Sequence, residues 1–247
     1  MDRLVYTALS GLRSQAAAQA TIANNIANAS TTGFRAERVS FDRLVLQGSG
    51  FETRQLSAEE VDDFDRTAGT IVQTARALDI AATGDAWIAV QSADGSEAYT
   101  RRGDLSVAAS GVLETGDGFP VMGSGGPITV PPYQSISIAT DGTISIVPPG
   151  GDPNQPQVLD RIKLASPQGS VTAKGLDNLL HVKGGGALPT DLDAKIQTGA
   201  LEQSNVNLTQ ALVDMIENQR SYEVQANLLK EAKSMDESAA SLMRLPA

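Results

Sequence analysis

Residues 3–29, RLVYTALSGLRSQAAAQATIANNIANA, and residues 207–244, NLTQALVDMIENQRSYEVQANLLKEAKSMDESAASLMR, decide how this chain folds. In the first stretch Val5, Leu9, Leu12, Ala16, Gln19, Ala23 and Ile26 recur at alternating spacings of four and three. In the second, Leu208, Leu212, Met215, Gln219, Tyr222, Ala226 and Leu229 keep the same rhythm. A 3.5-residue period marks helices that bury a seam against other helices. The expected fold class is therefore α+β. Long N- and C-terminal helices form a coiled-coil-like layer, and a mainly antiparallel β domain is inserted between them.

The middle of the chain reads as β structure. Short β-prone runs recur at Trp87–Val90, Ala98–Thr100, Leu105–Val107, Ile128–Val130, Ile136–Ile138 and Ile144–Ile146, with further strands expected near 158–165 and 170–173. Asp94-Gly95, Ser110-Gly111, Asp117-Gly118 and Asp141-Gly142 punctuate them as hairpin turns. Between the first helix and this body, Phe41, Leu44, Val45 and Leu46 suggest a short helix, and Gly69–Val72 an extended piece. The expected organisation is an N-terminal helix over 1–33, a connector over 34–77, a β-rich domain over 78–200 and a C-terminal helix over 201–247.

The helix ends carry their own signals. Asn24, Asn25 and Asn28, followed by Gly33 and Phe34, stop the first helix, because Asn bonds its own backbone and Gly accepts positive φ. Three amides in five residues exceed what one cap needs and point to polar contacts with neighbouring chains. Asn207 is placed to cap the last helix, with Gln210 three residues on to return the bond. If that helix runs to Met243 it is about 55 Å long at ~1.5 Å per residue.

Composition excludes several functions. The chain has 247 residues, 19 basic and 29 acidic, for a net charge of −10. The acidity is concentrated in the middle, which argues against a nucleic-acid surface. No run is long or apolar enough to span a bilayer. Arg3 precedes an apolar patch and Ala16–Ala20 looks like a cleavage region, but Thr7, Ser10 and Gly11 interrupt the patch, so no cleaved signal peptide is expected. The absence of cysteine fits either a cytosolic chain or one kept uncrosslinked for export.

Candidate chemistry is sparse. With His181 alone and no Cys, neither a His-based triad nor a zinc site is expected. Gly123-Ser124-Gly125-Gly126-Pro127 lacks the Lys of a phosphate loop. Asp62-Asp63-Phe64-Asp65 reads as a solvated acidic face, and Arg102-Gly103-Asp104 as a turn. We expect no enzyme, no cofactor and no metal.

Ala23 to Phe34 resembles the Ala-Asn-Asn-x-Ala-Asn-x-x-Thr-x-Gly-Phe signature of the flagellar axial proteins, the rod, hook and hook-associated subunits. Leu201–Asn207, Leu212–Ile216 and Gln219–Glu223 are similar to that family's C-terminal motif. Leu78–Ala81 through Gly84, Tyr99–Arg101 with Gly103, and Gly111–Leu113 resemble its central part. Gly84-Asp85-Ala86-Trp87-Ile88 departs from the family's Gly-Phe-Phe core, with Trp87 and Ile88 filling similar volume. The opening Met1–Tyr6 and the modest length look most like a proximal rod subunit, with a distal rod or hook-type subunit as the alternative.

The resemblance implies a structural subunit of the flagellar basal-body rod, exported through the flagellar type III apparatus without a cleaved signal. It would polymerise in the periplasm, with copies of itself and neighbouring rod proteins, into a hollow drive shaft for motility. It assigns the assembly interface to the two seams together with Asn24, Asn25, Asn28, Gly33, Phe34, Ser204, Asn205, Val206, Asn207, Ile216 and Arg220. The rival from another class is a periplasmic wall-remodelling enzyme, for which no carboxylate pair stands out. Energetics agree with assembly: Val5, Leu9, Leu12 and Ile26 each offer roughly 1.5–3 kcal/mol on full burial. Fixing each backbone residue costs about 1–2 kcal/mol. The ends are thus expected to be marginal in a lone chain and to order when several neighbours cover them.

Overall fold

The computed structural model describes residues 2–45 and 55–242. Helix α1 spans Asp2–Ala27 and is followed by strands β1 (Glu37–Val45) and β2 (Gln55–Phe64), which pair with each other. Helix α2 spans Leu208–Leu242. Between them lie β3 (Ile71–Gln73), β4 (Ile80–Ala82), β5 (Trp87–Gln91), β6 (Glu97–Thr100), β7 (Ser106–Val107), β8 (Leu113–Glu114) and β9 (Ser135–Ile138). These continue into β10 (Thr143–Val147), β11 (Gln157–Arg161), β12 (Leu164–Ala165), β13 (Thr172–Lys174), β14 (Leu180–Val182), β15 (Ile196–Thr198) and β16 (Ala200–Glu202). Two helices with several antiparallel sheets make this an α+β chain. Among the described residues, no helix is long and apolar enough to cross a membrane.

The chain divides into two compact units. One comprises residues 1–27, 37–63 and 207–247; the other comprises 28–36 and 64–206. The stretch 34–77, read from sequence as one connector, is therefore divided between them. The short helix expected over Phe41–Leu46 is corrected: Phe41, Leu44 and Val45 lie in β1, and Leu46 lies outside the described residues. Four apolar residues are too few to distinguish a helical turn from a strand by period.

In the second unit a five-stranded sheet has the order β12-β5-β6-β14-β13, and a three-stranded sheet the order β11-β10-β9. β5 explains why two layers form. Ile88 and Val90 point into one apolar cluster with Leu113, Ile144 and Leu164, whereas Trp87 and Ala89 point into a second with Phe64, Tyr99 and Leu180. Alternate side chains leave opposite faces of a strand, so the unbroken apolar run Trp87–Val90 requires cover on both sides. Trp87 meets Phe64 edge-on at 5.6 Å, which shows how the Trp-Ile departure from the family's aromatic core is accommodated. The Tyr99 hydroxyl accepts from Leu188 N at 2.5 Å and donates to Glu97 Oε1 at 2.8 Å. Burial pushes its ionisation well above the ordinary phenol range.

The Asp-Gly turns close as read. Gly95 and Gly142 have φ of 84° and 87° and donate to the carbonyls of Ser92 and Ala139, joining β5 to β6 and β9 to β10. Ile128–Val130 is corrected from a strand to isolated bridge pairing, through Thr129 with Val112, because it lies in a loop that pairs one residue at a time.

Candidate assembly interface

The helices begin the site. Asn207 Oδ1 accepts from Gln210 N at 3.2 Å, so Asn207 caps α2. The expected return bond is replaced, since Gln210 Nε2 donates forward to Asp214 Oδ1 at 2.8 Å. Within its unit α2 lies against α1, and part of the contact is polar. Asn218 Nδ2 donates to the Gln15 carbonyl at 3.0 Å and to Gln19 Oε1 at 2.8 Å. A Cβ on Gly11 would come within 2.8 Å of Gln225 Oε1, the movable end of a side chain, which marks where the helices are in contact. A groove of about 470 Å³ lies beside this contact, lined by Gln15, Ala16, Gln19, Gln219 and Tyr222.

The side of α2 turned to α1 differs from the seam read in the sequence. Ala211, Met215, Asn218, Gln225, Ala226 and Leu229 are partly covered and Ala232 is buried, a set that shares Met215, Ala226 and Leu229 with the predicted row. Leu208, Leu212, Ile216, Gln219, Arg220 and Tyr222 are exposed, and Ala226 is partly covered. On α1, Leu9, Ala16 and Ala23 are exposed, while Leu12, Gln19, Asn24, Asn25 and Ile26 are partly covered. Val5 lies in α1, and its side chain is outside the described ones. Among the described side chains of the two helices, only Thr21 and Ala232 are buried, at 8% and 7% exposure. A helix pair with so little core is marginal by itself.

Two of the three amides have partners inside this unit. Asn25 brackets the start of β1, donating to Glu37 O at 2.9 Å and accepting from Glu37 N at 2.8 Å. Asn24 Nδ2 donates to Glu37 Oε2 at 2.9 Å. Asn28, in the other unit, accepts from Thr31 Oγ1 at its Oδ1 and from Thr31 N at its backbone carbonyl, both at 3.1 Å.

In the second unit, the remaining motif residues form a clasp between the segment after α1 and the segment before α2. Gly33 N donates to Glu202 O at 2.7 Å. Phe34 is buried beneath Lys174, whose Nζ sits 3.7 Å from the ring centre. Asn205 Oδ1 accepts from Ala36 N at 2.7 Å, and its Nδ2 donates to Asp65 O at 3.0 Å and Thr67 O at 2.9 Å. Val206 N donates to Ser204 Oγ at 3.2 Å.

Glu202 centres the clasp, and sequence reading missed it. Its carboxylate meets Arg35 Nη2 at 2.6 Å, Arg101 Nη1 at 3.2 Å and Gly69 N at 2.8 Å. Arg101 also donates to the carbonyls of Ala82 and Gly84 and lies over the Trp87 ring. Burial lowers the pKa of both guanidinium groups, and the Glu202 charge opposes that shift. The available signal was an acidic residue inside the Leu201–Asn207 motif, one arginine inside the Tyr99–Arg101 block and another just after Phe34. Nothing in the linear order pairs them.

The residues weighed for catalysis have structural partners. His181 Nε2 contacts both oxygens of Asp177 at 3.0–3.1 Å, and Arg102 pairs with Asp104 and Asp117. Gly123 N donates to Gly126 O and closes a turn. The Asp62 and Asp63 side chains lie outside the described ones, and Asp65 accepts from Thr67.

Comparison with known proteins accounts for this distribution of motifs. Residues 5–35 match the profile described as flagella basal body rod protein, 81–146 that of the flagellar hook protein FlgE/F/G D1 domain, and 197–242 that of the flagellar basal body rod FlgEFG protein C-terminal. The chain belongs to the flagellar basal-body rod protein family. Within it the likeness extends to FlgF: the FlgF of Salmonella typhimurium is 40% identical over 243 residues, covering 96% of this chain and 95% of that one. The Escherichia coli FlgF is 39% identical over 245 residues, covering 97% and 96%. The FlgG of Bacillus subtilis is 30% identical over 271 residues, covering 99% and 100%. The chain is thus a FlgF-like rod protein, a structural subunit of the flagellum.

Proposed function

We propose that this subunit polymerises with copies of itself and neighbouring rod proteins into a hollow shaft, α1 and α2 forming its inner, coiled-coil-like layer. The observation that carries this reading is the nearly coreless helix pair, which leaves Leu208, Leu212, Ile216 and Tyr222 each more than two-fifths exposed. Burying such side chains is worth roughly 1.5–3 kcal/mol apiece, and neighbouring helices are the natural cover. The interface comprises the exposed seam residues of both helices. We place the subunit in the proximal rod, in the periplasm, delivered by the flagellar type III apparatus. Its role is mechanical rather than enzymatic, in keeping with relatives named as rod proteins.

The test is to isolate basal bodies from cells producing the tagged full chain and to locate it by immuno-electron microscopy. Label on the rod near the inner-membrane ring supports the reading. Label at the distal rod moves the subunit outward, and absence from basal bodies refutes it.

A further inference from the structure

The clasp encloses a small cavity that lies wholly within the second unit and has a volume of about 10 Å³. That is room for one guest the size of a water or a halide ion, and for nothing larger. Phe64, Trp87 and Leu180 give it apolar walls, while Arg35 and Arg101, each 3% exposed, bring the charge. Half-buried Lys174 and exposed Asn178 also line it and leave it open to exchange with solvent.

A guanidinium carries five N–H donors and no acceptor. Arg35 directs its terminal nitrogens to Glu202 Oε1 at 2.6 Å and to the Arg66 carbonyl at 3.5 Å. Arg101 directs its own to Glu202 Oε2 at 3.2 Å and to the carbonyls of Ala82 and Gly84. The Nε atoms of both side chains are buried and make no hydrogen bond among the described residues. Buried donors are seldom left so. The two cations also repel each other: burial lowers the Arg101 pKa most, Glu202 opposes that, and the Arg35 charge lowers it further. The carboxylates that attract the pair, Glu202, Asp65 and Asp85, stand outside the cavity lining.

Water suits this lining poorly. A water accepting from both Nε groups still has two protons to place, and Asn178 is the only lining side chain with an acceptor. An anion needs donors alone.

We propose that this cavity binds one monatomic, monovalent anion of the size of chloride, held by Arg35 Nε and Arg101 Nε. The inference goes beyond the assembly reading and does not rest on it. Arg35 belongs to the segment after α1 and Arg101 follows β6, so the ion ties that segment to the sheet beside the Glu202 pairs.

Trp87 is the single tryptophan and lines the same cavity, with the Arg101 guanidinium 5.4 Å from its ring centre. Bromide, a heavy-atom quencher close to chloride in size, is titrated into the purified full-length chain. Sodium sulfate, whose anion is too large to enter, holds the ionic strength constant. Trp87 is only 7% exposed, so quenching by collision from solvent is weak. The expected result is a loss of emission that reaches a plateau and is reversed by chloride. Arg35→Lys keeps a cation for Glu202 but lacks the Nε donor. Its bromide midpoint should rise about tenfold, the effect of losing one hydrogen bond to a charged group. Loss of emission linear in bromide, a plateau that chloride leaves in place, or an unchanged midpoint in folded Arg35→Lys overturns the site. So does a bromide-soaked crystal whose anomalous map shows no peak within hydrogen-bond distance of both Nε atoms, as when water alone fills the cavity. Should Arg35→Lys fail to fold by circular dichroism, the chloride competition and the anomalous map on the unsubstituted chain decide.

Discussion

Arg35 and Glu202 meet at 2.6 Å with side chains 3% and 2% exposed, joining the segment that follows α1 to the strand nearest α2 in sequence. Arg101 shares the same carboxylate from a third strand region. Two buried guanidinium groups thus share one ion-paired carboxylate, with Asp65 and Asp85 adding weaker attraction. Glu202→Gln should lower the stability of this unit by about 3–5 kcal/mol, the loss typical when one partner of a buried pair is removed. Urea unfolding followed by fluorescence of Trp87, the single tryptophan, measures it. An unchanged midpoint would contradict the clasp.

Gly33 should not tolerate a side chain. Its φ is +69°, and a Cβ there would overlap the backbone of Arg101 and Arg102. The strained φ alone costs about 1–3 kcal/mol for a residue such as alanine, and the overlap adds to it. Gly33→Ala is expected to shift the same unfolding curve to lower urea. Gly95→Ala, with φ of +84° but open space around it, should cost less.

Asn218→Ala should loosen the helix pair by about 1 kcal/mol, the ordinary worth of a hydrogen bond lost without leaving a charge behind. Faster hydrogen exchange of amides around Gln15 to Gln19, with no change in the β unit, is the expected readout. Equal protection in both proteins would show that Asn218 does not hold the pair.

Leu212→Pro tests the division of labour between units. Proline in a helix interior costs ~3 kcal/mol or more, and Leu212 lies one turn inside α2. Motility and incorporation into basal bodies should be lost while Trp87 fluorescence stays native. Normal swimming would contradict the role of α2.

At acid pH the turn aspartates should resist protonation. The Asp141 carboxyl accepts from Thr143 N at 3.0 Å and Thr143 Oγ1 at 2.8 Å, which holds it below the usual carboxylate range. Because its folded pKa is depressed, the stabilisation is present above the unfolded value of about 3.9 and is lost as pH falls through the folded value. Thr143→Val removes the hydroxyl donor and should move the Asp141 titration upward in a carboxyl-resolved NMR experiment. No movement would assign the shift to the backbone bond alone.

Much of the fold was legible because period and turn chemistry are local. Alternating four and three spacing announced both helices, Asn207 marked the start of α2, and Asp-Gly pairs located the hairpins. The failures were also local in origin. Phe41–Val45 was too short for period to separate helix from strand, and Ile128–Val130 was β-prone without a continuous partner. The seam read on α2 was a row for neighbouring helices; which row α2 turns to α1 was not legible, because amides at Asn218 and Gln225 fill positions that a hydrophobic count passes over. Glu202 was invisible because its value comes from two arginines that the chain brings to it from far away.

Linear order alone determined that this is a rod-family chain with helical ends and a β centre, since spacing, caps and motif residues act within a few positions of one another. Which amides are engaged internally, which helix face stays open, and how one carboxylate holds two arginines were decided only in three dimensions. Burial and ion pairing are properties of distance in space, and those distances exist only once the sheets have formed.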